Sequence, residues 1–217
     1  MTTAKLLLQK NANPDAVAMN GFTPLHVAAK KNRFEIVKLL LEHKAKIDAV
    51  TESGLTVLMV ATYADNLAVV KILTESGIDL NLMNSRGETA LHVAARNELK
   101  TNHVLDHLVN LGADVNVRGE DANGVIHLAV RSGSVSSVKN LIDAGAKIDE
   151  KVESSGYAPL HYASKDGNLE MLKLLCEKVN TDISKIFYIF QNYEFSVCYF
   201  NPNFFKKFPF LNYKMID

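Results

Sequence analysis

The chain has 217 residues, 24 Lys and Arg balanced by 24 Asp and Glu, and 47% hydrophobic residues. This composition is typical of a folded protein, and the lack of a basic excess argues against a dedicated nucleic-acid-binding protein. The two cysteines, Cys176 and Cys198, give no disulfide framework and favour a reducing, cytoplasmic compartment. Neither a signal peptide nor an apolar run of membrane-spanning length is recognised, so no direct membrane insertion is expected.

The first predicted element is a short helix in residues 1–19, which contains three consecutive leucines, Leu6 to Leu8. It reads as the second helix of a helix pair, followed by a turn, and the first helix that should pack on it is absent. We therefore expect part of this apolar face to be bare. The open interpretations are a piece of a longer array, or an isoform or gene model that starts late.

A nine-residue phrase begins at residue 21, "GFTPLHVAA", and recurs four times along the chain. The later copies are "GLTVLMVAT", "GETALHVAA", "ANGVIHLAV" and "GYAPLHYAS". One slot in the phrase holds His26, Met59, His92, His127 and His161, at steps of 33, 33, 35 and 34 residues. Each copy is followed by a segment whose apolar residues fall three and four apart, as in an amphipathic helix. The spacing predicts a repeated helix pair.

The residues of the phrase have structural roles. Gly21 permits the positive φ of a turn, Thr23 is a good N-cap, and Pro24 suits the first helical position. We expect His26 to bond to the Thr23 hydroxyl and to the backbone of the adjacent turn. A histidine that recurs beside the same cap is explained by this role rather than by catalysis.

Some copies depart from the phrase. In the second copy Val57 and Met59 replace Pro and His, and the third copy carries two extra residues within 97–102. The fourth copy has Ala122, Gly124 and Val125 at the turn, cap and Pro positions. We therefore expect the fourth unit to open first among the inner units.

The repeated phrase resembles the ankyrin repeat, whose period is about 33 residues and whose signature is T-P-L-H-x-A. The phrases "GFTPLHVAAKKNR" and "RGETALHVAAR" look especially like the ankyrins proper, the membrane-skeleton adaptors. The resemblance implies an all-α solenoid of helix–turn–helix units with β-turn fingers, over residues 1–183. We divide it into a partial unit, five full units and a tail: 1–19, about 20–53, 54–86, 87–121, 122–155, 156–183, and 184–217.

The tail, residues 184–217, does not follow the repeat. Twelve of its 34 residues are Phe or Tyr, against five in the preceding sequence, and no clean periodicity is present. The segment is interpreted as a C-terminal cap, as a partner-binding tail, or as read-through of an intron. We favour the last, because agreement between local signals is what marks a foldable segment.

No catalytic or cofactor-binding motif is recognised. His103 and His107 are four apart on a predicted helix, but the Glu of a zinc-protease motif and a third ligand are missing. Cys176 replaces an apolar residue and is expected to lie in the core. We expect no enzyme activity, no metal and no cofactor.

The candidate binding surface is one exposed residue per unit, at the end of each first helix. We expect these residues to line a concave groove: Lys30, Tyr63, Arg96, Arg131 and Lys165. A groove of this kind suits an extended, acidic or aromatic-bearing peptide, although Lys and Arg are also ordinary choices at a solvated position. Variable finger tips would add selectivity: Val50, Glu52, Arg86, Arg118, Glu120, Lys151 and Glu153.

These observations predict a protein–protein interaction scaffold. The resemblance to ankyrins implies a cytoplasmic adaptor at the membrane-associated cytoskeleton, which binds the cytoplasmic segments of membrane proteins and links them to the cytoskeleton. The alternatives are a regulatory repeat fragment of a larger enzyme or ion channel, and a truncated gene-model product.

Overall fold

A computed structural model describes residues 2–97, 103–119 and 122–179 of the chain. The tail, the insertion expected within 97–102 (apart from Asn97) and the finger-tip residue Glu120 therefore lie outside the described residues. The described residues contain eleven α-helices and no strand. The helices are α1 (Thr2–Gln9), α2 (Pro24–Lys30), α3 (Phe34–Glu42), α4 (Val57–Tyr63), α5 (Leu67–Glu75), α6 (Ala90–Arg96), α7 (His103–Asn110), α8 (Val125–Arg131), α9 (Val135–Asp143), α10 (Pro159–Lys165) and α11 (Leu169–Val179).

The helices form two rows. The inner row is α2, α4, α6, α8 and α10, and the outer row continues through α3, α5, α7, α9 and α11. Each inner helix packs on the outer helix that follows it and on the neighbouring inner helices. The predicted all-α solenoid of helix pairs is confirmed. The residue limits given above for the units remain a proposal.

The core lies between the two rows and repeats with the units. Leu25, Leu58 and Leu91 occupy the same position of successive inner helices and are at most 1% exposed. Because each unit buries its apolar side chains against its neighbours, stability is approximately a sum over units and their interfaces.

Inner helices begin at the predicted caps. The Thr23 side chain accepts a long bond, 3.5 Å, from the backbone N–H of His26, and Pro24 occupies the first helical position. Thr56 accepts in the same way from Met59, over 3.2 Å. In the fourth unit Gly124 stands at the cap and offers no hydroxyl.

The fingers between units are closed by β-turns. Gly54 N donates to Thr51 O over 2.9 Å, and Gly87 N donates to Asn84 O over 3.0 Å. Gly54 has φ +74°, and a Cβ placed on it would lie 2.8 Å from the backbone nitrogen of Ser85 in the next finger. Glycine is needed here both for the left-handed conformation and for the close approach of two fingers.

The finger of the fourth unit is one residue longer. Val152 N donates to Tyr157 O over 2.9 Å, five residues on, whereas Thr51 N donates to Leu55 O, four residues on. Its turn closes from Gly156 N to Val152 O, an i to i+4 bond. This insertion explains the 34-residue step from His127 to His161, and the sequence reasoning missed it.

Ala122 holds the turn position of the third finger with φ +54°. A left-handed conformation is unfavourable for a residue with a Cβ. The expectation that the fourth unit begins with a poorer turn and a poorer cap therefore has a structural basis.

Polar side chains in the loops also connect neighbouring units. Asn81 Oδ1 accepts from Asp114 N over 2.9 Å, and Asn116 Oδ1 accepts from Lys147 N over 3.0 Å. Asn66 Nδ2 donates to Ala29 O over 2.7 Å. The sequence reasoning did not single out these residues.

Helix α2 is the first helix of the inner row, and one of its sides is not covered by another inner helix. Val27 is 49% exposed there, whereas Val60, at the same position of α4, is 7% exposed because α2 packs against that side. In α1, Leu6 and Leu7 are 57% and 55% exposed and Leu8 is buried. The expected bare apolar face is therefore present in part.

Candidate protein-binding groove

Each of the five groove residues is the last residue of an inner helix. They are Lys30 of α2, Tyr63 of α4, Arg96 of α6, Arg131 of α8 and Lys165 of α10. All five side chains are exposed, and Tyr63 is 74% exposed. The inner helices are adjacent, so the residues form a row with one member per unit. These five residues therefore form a row of exposed side chains, whose role in binding is a proposal.

Three of the four cations in this row already contact other groups. The Lys30 Nζ atom lies 6.0 Å from the centre of the Phe22 ring, and the Arg131 guanidinium lies 5.6 Å from the centre of the Tyr162 ring. Arg96 forms an ion pair with Glu88. Ring contacts leave a cation its full charge, whereas the ion pair offsets part of the charge of Arg96.

Glu88 is the main acidic residue at the base of the groove, and the sequence reasoning missed it. Its carboxylate accepts from Asn84 Nδ2 over 3.0 Å, pairs with Arg96, and lies 3.4 Å from Arg86. Burial opposes ionisation, but the bonds from Arg96 and Asn84 and the two positive charges outweigh it. The pKa of Glu88 therefore lies below its ordinary value. The carboxylate is ionised at neutral pH and holds both arginines in place.

A cavity of about 430 Å³ lies at the second unit, where Lys30, Tyr63 and Arg96 meet the fingers. Its wall is largely apolar. It is lined by Phe22, Leu55, Met59, Val60, Tyr63 and Val93, with Lys30, Arg86, Arg96, Glu88, Asn84 and Asn97 around them. The first three units therefore present one apolar depression with charged groups on both sides.

The far end of the groove is aromatic. Tyr157 stacks on His161 with ring centres 5.4 Å apart, and its ring meets Tyr162 edge-on at the same distance. With Arg131 above Tyr162, these rings form a surface of different character from the cavity.

The described finger-tip residues are all exposed: Val50, Glu52, Arg86, Arg118, Lys151 and Glu153. Arg118 is nevertheless engaged, since its Nε atom donates to Glu150 Oε2 over 3.1 Å and Lys147 pairs with the same carboxylate at 3.2 Å. The bond from Arg118 is the main reason that the pKa of Glu150 is lowered. Glu150 thus joins the third and fourth fingers.

Two of the repeated histidines, His26 and His127, make the contacts expected of this slot. Thr23 N donates to His26 Nδ1 over 3.3 Å, so this nitrogen is an acceptor and Nε2 carries the proton. Nε2 then donates to Leu55 O of the next unit over 3.1 Å. His127 Nε2 instead donates to Glu150 O over 3.0 Å, in the lengthened finger.

His107 and Cys176, which the sequence also singled out, make structural contacts. His107 Nε2 lies 3.1 Å from Thr74 Oγ1 of the neighbouring unit. Within the described residues no three His, Cys, Asp or Glu side chains are grouped as metal ligands. Cys176 is partly buried against the core, and burial raises the pKa of its thiol.

The sequence matches the family model for ankyrin repeats over residues 1–84, 47–119 and 91–186. The chain therefore belongs to the ankyrin-repeat family. Ankyrin repeats generally act as non-catalytic modules of protein–protein interaction.

Three relatives come from Drosophila melanogaster. The chain is 40% identical over 74 residues to the tyrosine-protein kinase Shark and 33% identical over 75 residues to the NF-kappa-B inhibitor cactus. It is 32% identical over 90 residues to the transient receptor potential cation channel subfamily A member 1. These matches cover 33%, 33% and 38% of this chain and 8%, 15% and 7% of the relatives. The chain thus matches only a small part of each.

None of the helices in the described part of the chain is long and apolar enough to span a membrane.

Proposed function

We propose that this chain binds a partner protein along the groove formed by the ends of the inner helices and the finger tips. The observation that carries the proposal is the row of five exposed residues, one at the end of each inner helix. Four of them are cations, and the fifth is an exposed tyrosine. A row of this kind favours an acidic partner, because complementary charge speeds association and disfavours wrong partners.

Two more specific functions follow from the sequence and the relatives. The first is an adaptor between membrane proteins and the cytoskeleton, which rests on the resemblance to ankyrins; the relatives named above give it no specific support. The second is a regulatory repeat segment of a larger protein. The matches to small parts of a kinase and a channel favour this second candidate.

The test compares charge reversals on the two sides of the solenoid in the full chain. The groove variant carries Lys30→Glu, Arg131→Glu and Lys165→Glu. Arg96 is left unchanged, because a glutamate at this position would lie against the carboxylate of Glu88 and destabilise the fold. The control carries Lys38→Glu, Lys71→Glu and Lys139→Glu, three exposed lysines of outer helices. Partners are captured by chemical cross-linking in cells, identified by mass spectrometry, and their affinities are measured with purified proteins.

We expect the affinity of the groove variant for these partners to fall at least tenfold. The control should bind them as tightly as the unmodified chain does. Raising the salt concentration should weaken binding to the unmodified chain, since exposed charges are screened. Equal binding by the two variants would place the binding surface elsewhere.

A further inference from the structure

We propose that the cavity at the second unit receives one large apolar side chain of an extended partner segment with acidic residues about three positions away on each side. This inference rests on the proposed function, because it assigns the chemistry of the segment that the groove binds.

The second unit differs from its neighbours at the three positions that face the cavity. It has Leu55, Met59 and Tyr63 where the third unit has Glu88, His92 and Arg96. The change from His to Met removes a polar ring from the slot, and Met59 lines the cavity wall. One of the departures noted in the sequence, Met59, thus contributes to an apolar depression that is centred on the second unit and shared with its two neighbours.

The depression has room for a side chain. Its volume of about 430 Å³ lies in the range of small-molecule pockets, roughly 300–1,000 Å³. Val60 and Val93 complete its walls. Tyr63 stands at its rim and is 74% exposed, so an aromatic or aliphatic side chain entering the cavity would cover it. Burial of this apolar surface favours binding.

The charges around the depression select an acidic segment. Three cations line it, Lys30, Arg86 and Arg96, against the single carboxylate of Glu88. Glu88 is already satisfied by its three partners, and the side chains of Arg86 and Arg96 remain 67% and 49% exposed. Positive charge is therefore in excess and accessible to carboxylates of a partner.

The spacing follows from the geometry of the two chains. Packed helices lie about 8–10 Å apart, and a segment in the extended polyproline II conformation advances about 3.1 Å per residue, with three residues per turn. One unit therefore corresponds to about three residues, and residues three apart lie on the same side of the segment. Lys30 lies one unit before Tyr63, and Arg96 lies one unit after it. A carboxylate three residues before and another three residues after the apolar side chain would therefore meet the two cations.

The experiment uses fluorescein-labelled peptides and the full chain, with binding followed by fluorescence anisotropy at low salt. The probe is SESSFSSES. We expect its affinity to fall at least tenfold when Phe is replaced by Ser, and binding to be lost when both Glu are replaced by Lys. Moving the two Glu next to Phe should weaken binding several-fold.

Variants of the chain then locate the bound peptide. Tyr63→Ser should weaken binding of SESSFSSES several-fold while leaving that of SESSSSSES unchanged. The matched control is Phe34→Ser, because Phe34 is also an exposed aromatic residue but lies at the start of outer helix α3. It should bind both peptides as the unmodified chain does. Circular dichroism checks that both variants are folded.

Three results would overturn the inference: equal affinity for the Phe and Ser peptides, equal effects of Tyr63→Ser and Phe34→Ser, or no measurable binding of the probe. If both peptides bind equally but the groove charge reversals abolish binding, the proposed function stands and the apolar site is wrong. Loss of the cellular partners in the outer-helix variant alone would instead contradict the proposed function.

Discussion

The Nε2 atom of His26 lies 3.1 Å from the carbonyl oxygen of Leu55, which belongs to the next unit of the solenoid. The other ring nitrogen accepts from the backbone of Thr23, at the cap of its own helix. The ring is fully buried. One neutral side chain therefore connects the start of a helix to the finger of its neighbour.

Replacing His26 with Met should destabilise the chain by about 1–3 kcal/mol, because a buried carbonyl and a cap lose their partner. Met59 shows that methionine fits this slot in the second unit. The measurement is the urea midpoint, and His103→Gln, at an exposed position of α7, is the control. An unchanged midpoint for His26→Met would contradict the role assigned to the bond.

Stability should fall as the pH is lowered from about 7.5 to about 5.5. Burial is the main cause that lowers the pKa below its ordinary value of 6.5 for five histidines of the described residues: His26, His92, His107, His127 and His161. The unfolded chain takes up protons near pH 6.5 that the folded chain does not, so stability is complete above that pH and is lost as the pH falls toward the folded values. Urea midpoints across this range measure the slope. His26→Met should reduce it; a flat profile for the unmodified chain would contradict the burial effect.

Gly54→Ala should destabilise the chain by more than about 2 kcal/mol, since it adds a contact with Ser85 to the cost of a left-handed alanine. Gly156→Ala is the matched control, because Gly156 has φ +69° but no atom within 4 Å of an added Cβ. It should cost about 1 kcal/mol. Thermal or urea unfolding compares them, and similar losses would mean that the fingers separate easily.

The fourth unit should exchange its amide hydrogens faster than the other inner units, because its turn and its cap are the poorest. In the double variant Ala122→Gly and Gly124→Thr, exchange in α8 should be slower and the free energy of unfolding should rise by about 1 kcal/mol. The glycine relieves the strain of the positive φ at residue 122, and the threonine places a hydroxyl beside His127 Nδ1. Hydrogen exchange read by mass spectrometry measures both. Uniform protection of all units in the unmodified chain would count against this prediction.

Glu88→Gln should strengthen binding of an acidic partner several-fold at low salt, because Arg86 and Arg96 lose the carboxylate that offsets their charge. It should also lower stability by about 1–2 kcal/mol, as the bond from Arg96 is no longer between charged groups. The control is Asp143→Asn, which removes the carboxylate that pairs with Lys178 between the outer helices α9 and α11, and it should leave binding unchanged. Weaker binding by Glu88→Gln would indicate that its carboxylate orients the arginines for the partner.

The helix pairs and their caps could be predicted from the sequence because they depend on local residue types at a fixed period. Thr23, Pro24 and His26 each act within a few residues of their own position, and the period places the same contacts in the next unit. The positions of Lys30, Tyr63 and Arg131 followed from the same regularity.

Pairings between distant charged side chains were harder to foresee. Glu88 and Glu150 read as ordinary surface carboxylates, and their importance depends on Arg96, eight residues after Glu88, and on Arg118 in the finger before Glu150, which the fold brings close. The insertion in the fourth finger was visible as a 34-residue step, but the step alone did not say which loop had grown.

That insertion affects how a ligand can lie along the groove. The turn bond joins residues three apart in the finger from Thr51 to Gly54 and residues four apart in the finger from Val152 to Gly156. The fingers therefore differ in length near the aromatic end of the groove. A segment that makes the same contact with each of the first three fingers would meet a different part of the loop at the fourth. To contact both ends of the surface, the segment would have to bend or skip a residue at that point. Two short motifs joined by a flexible linker would do so with less strain than one rigid segment.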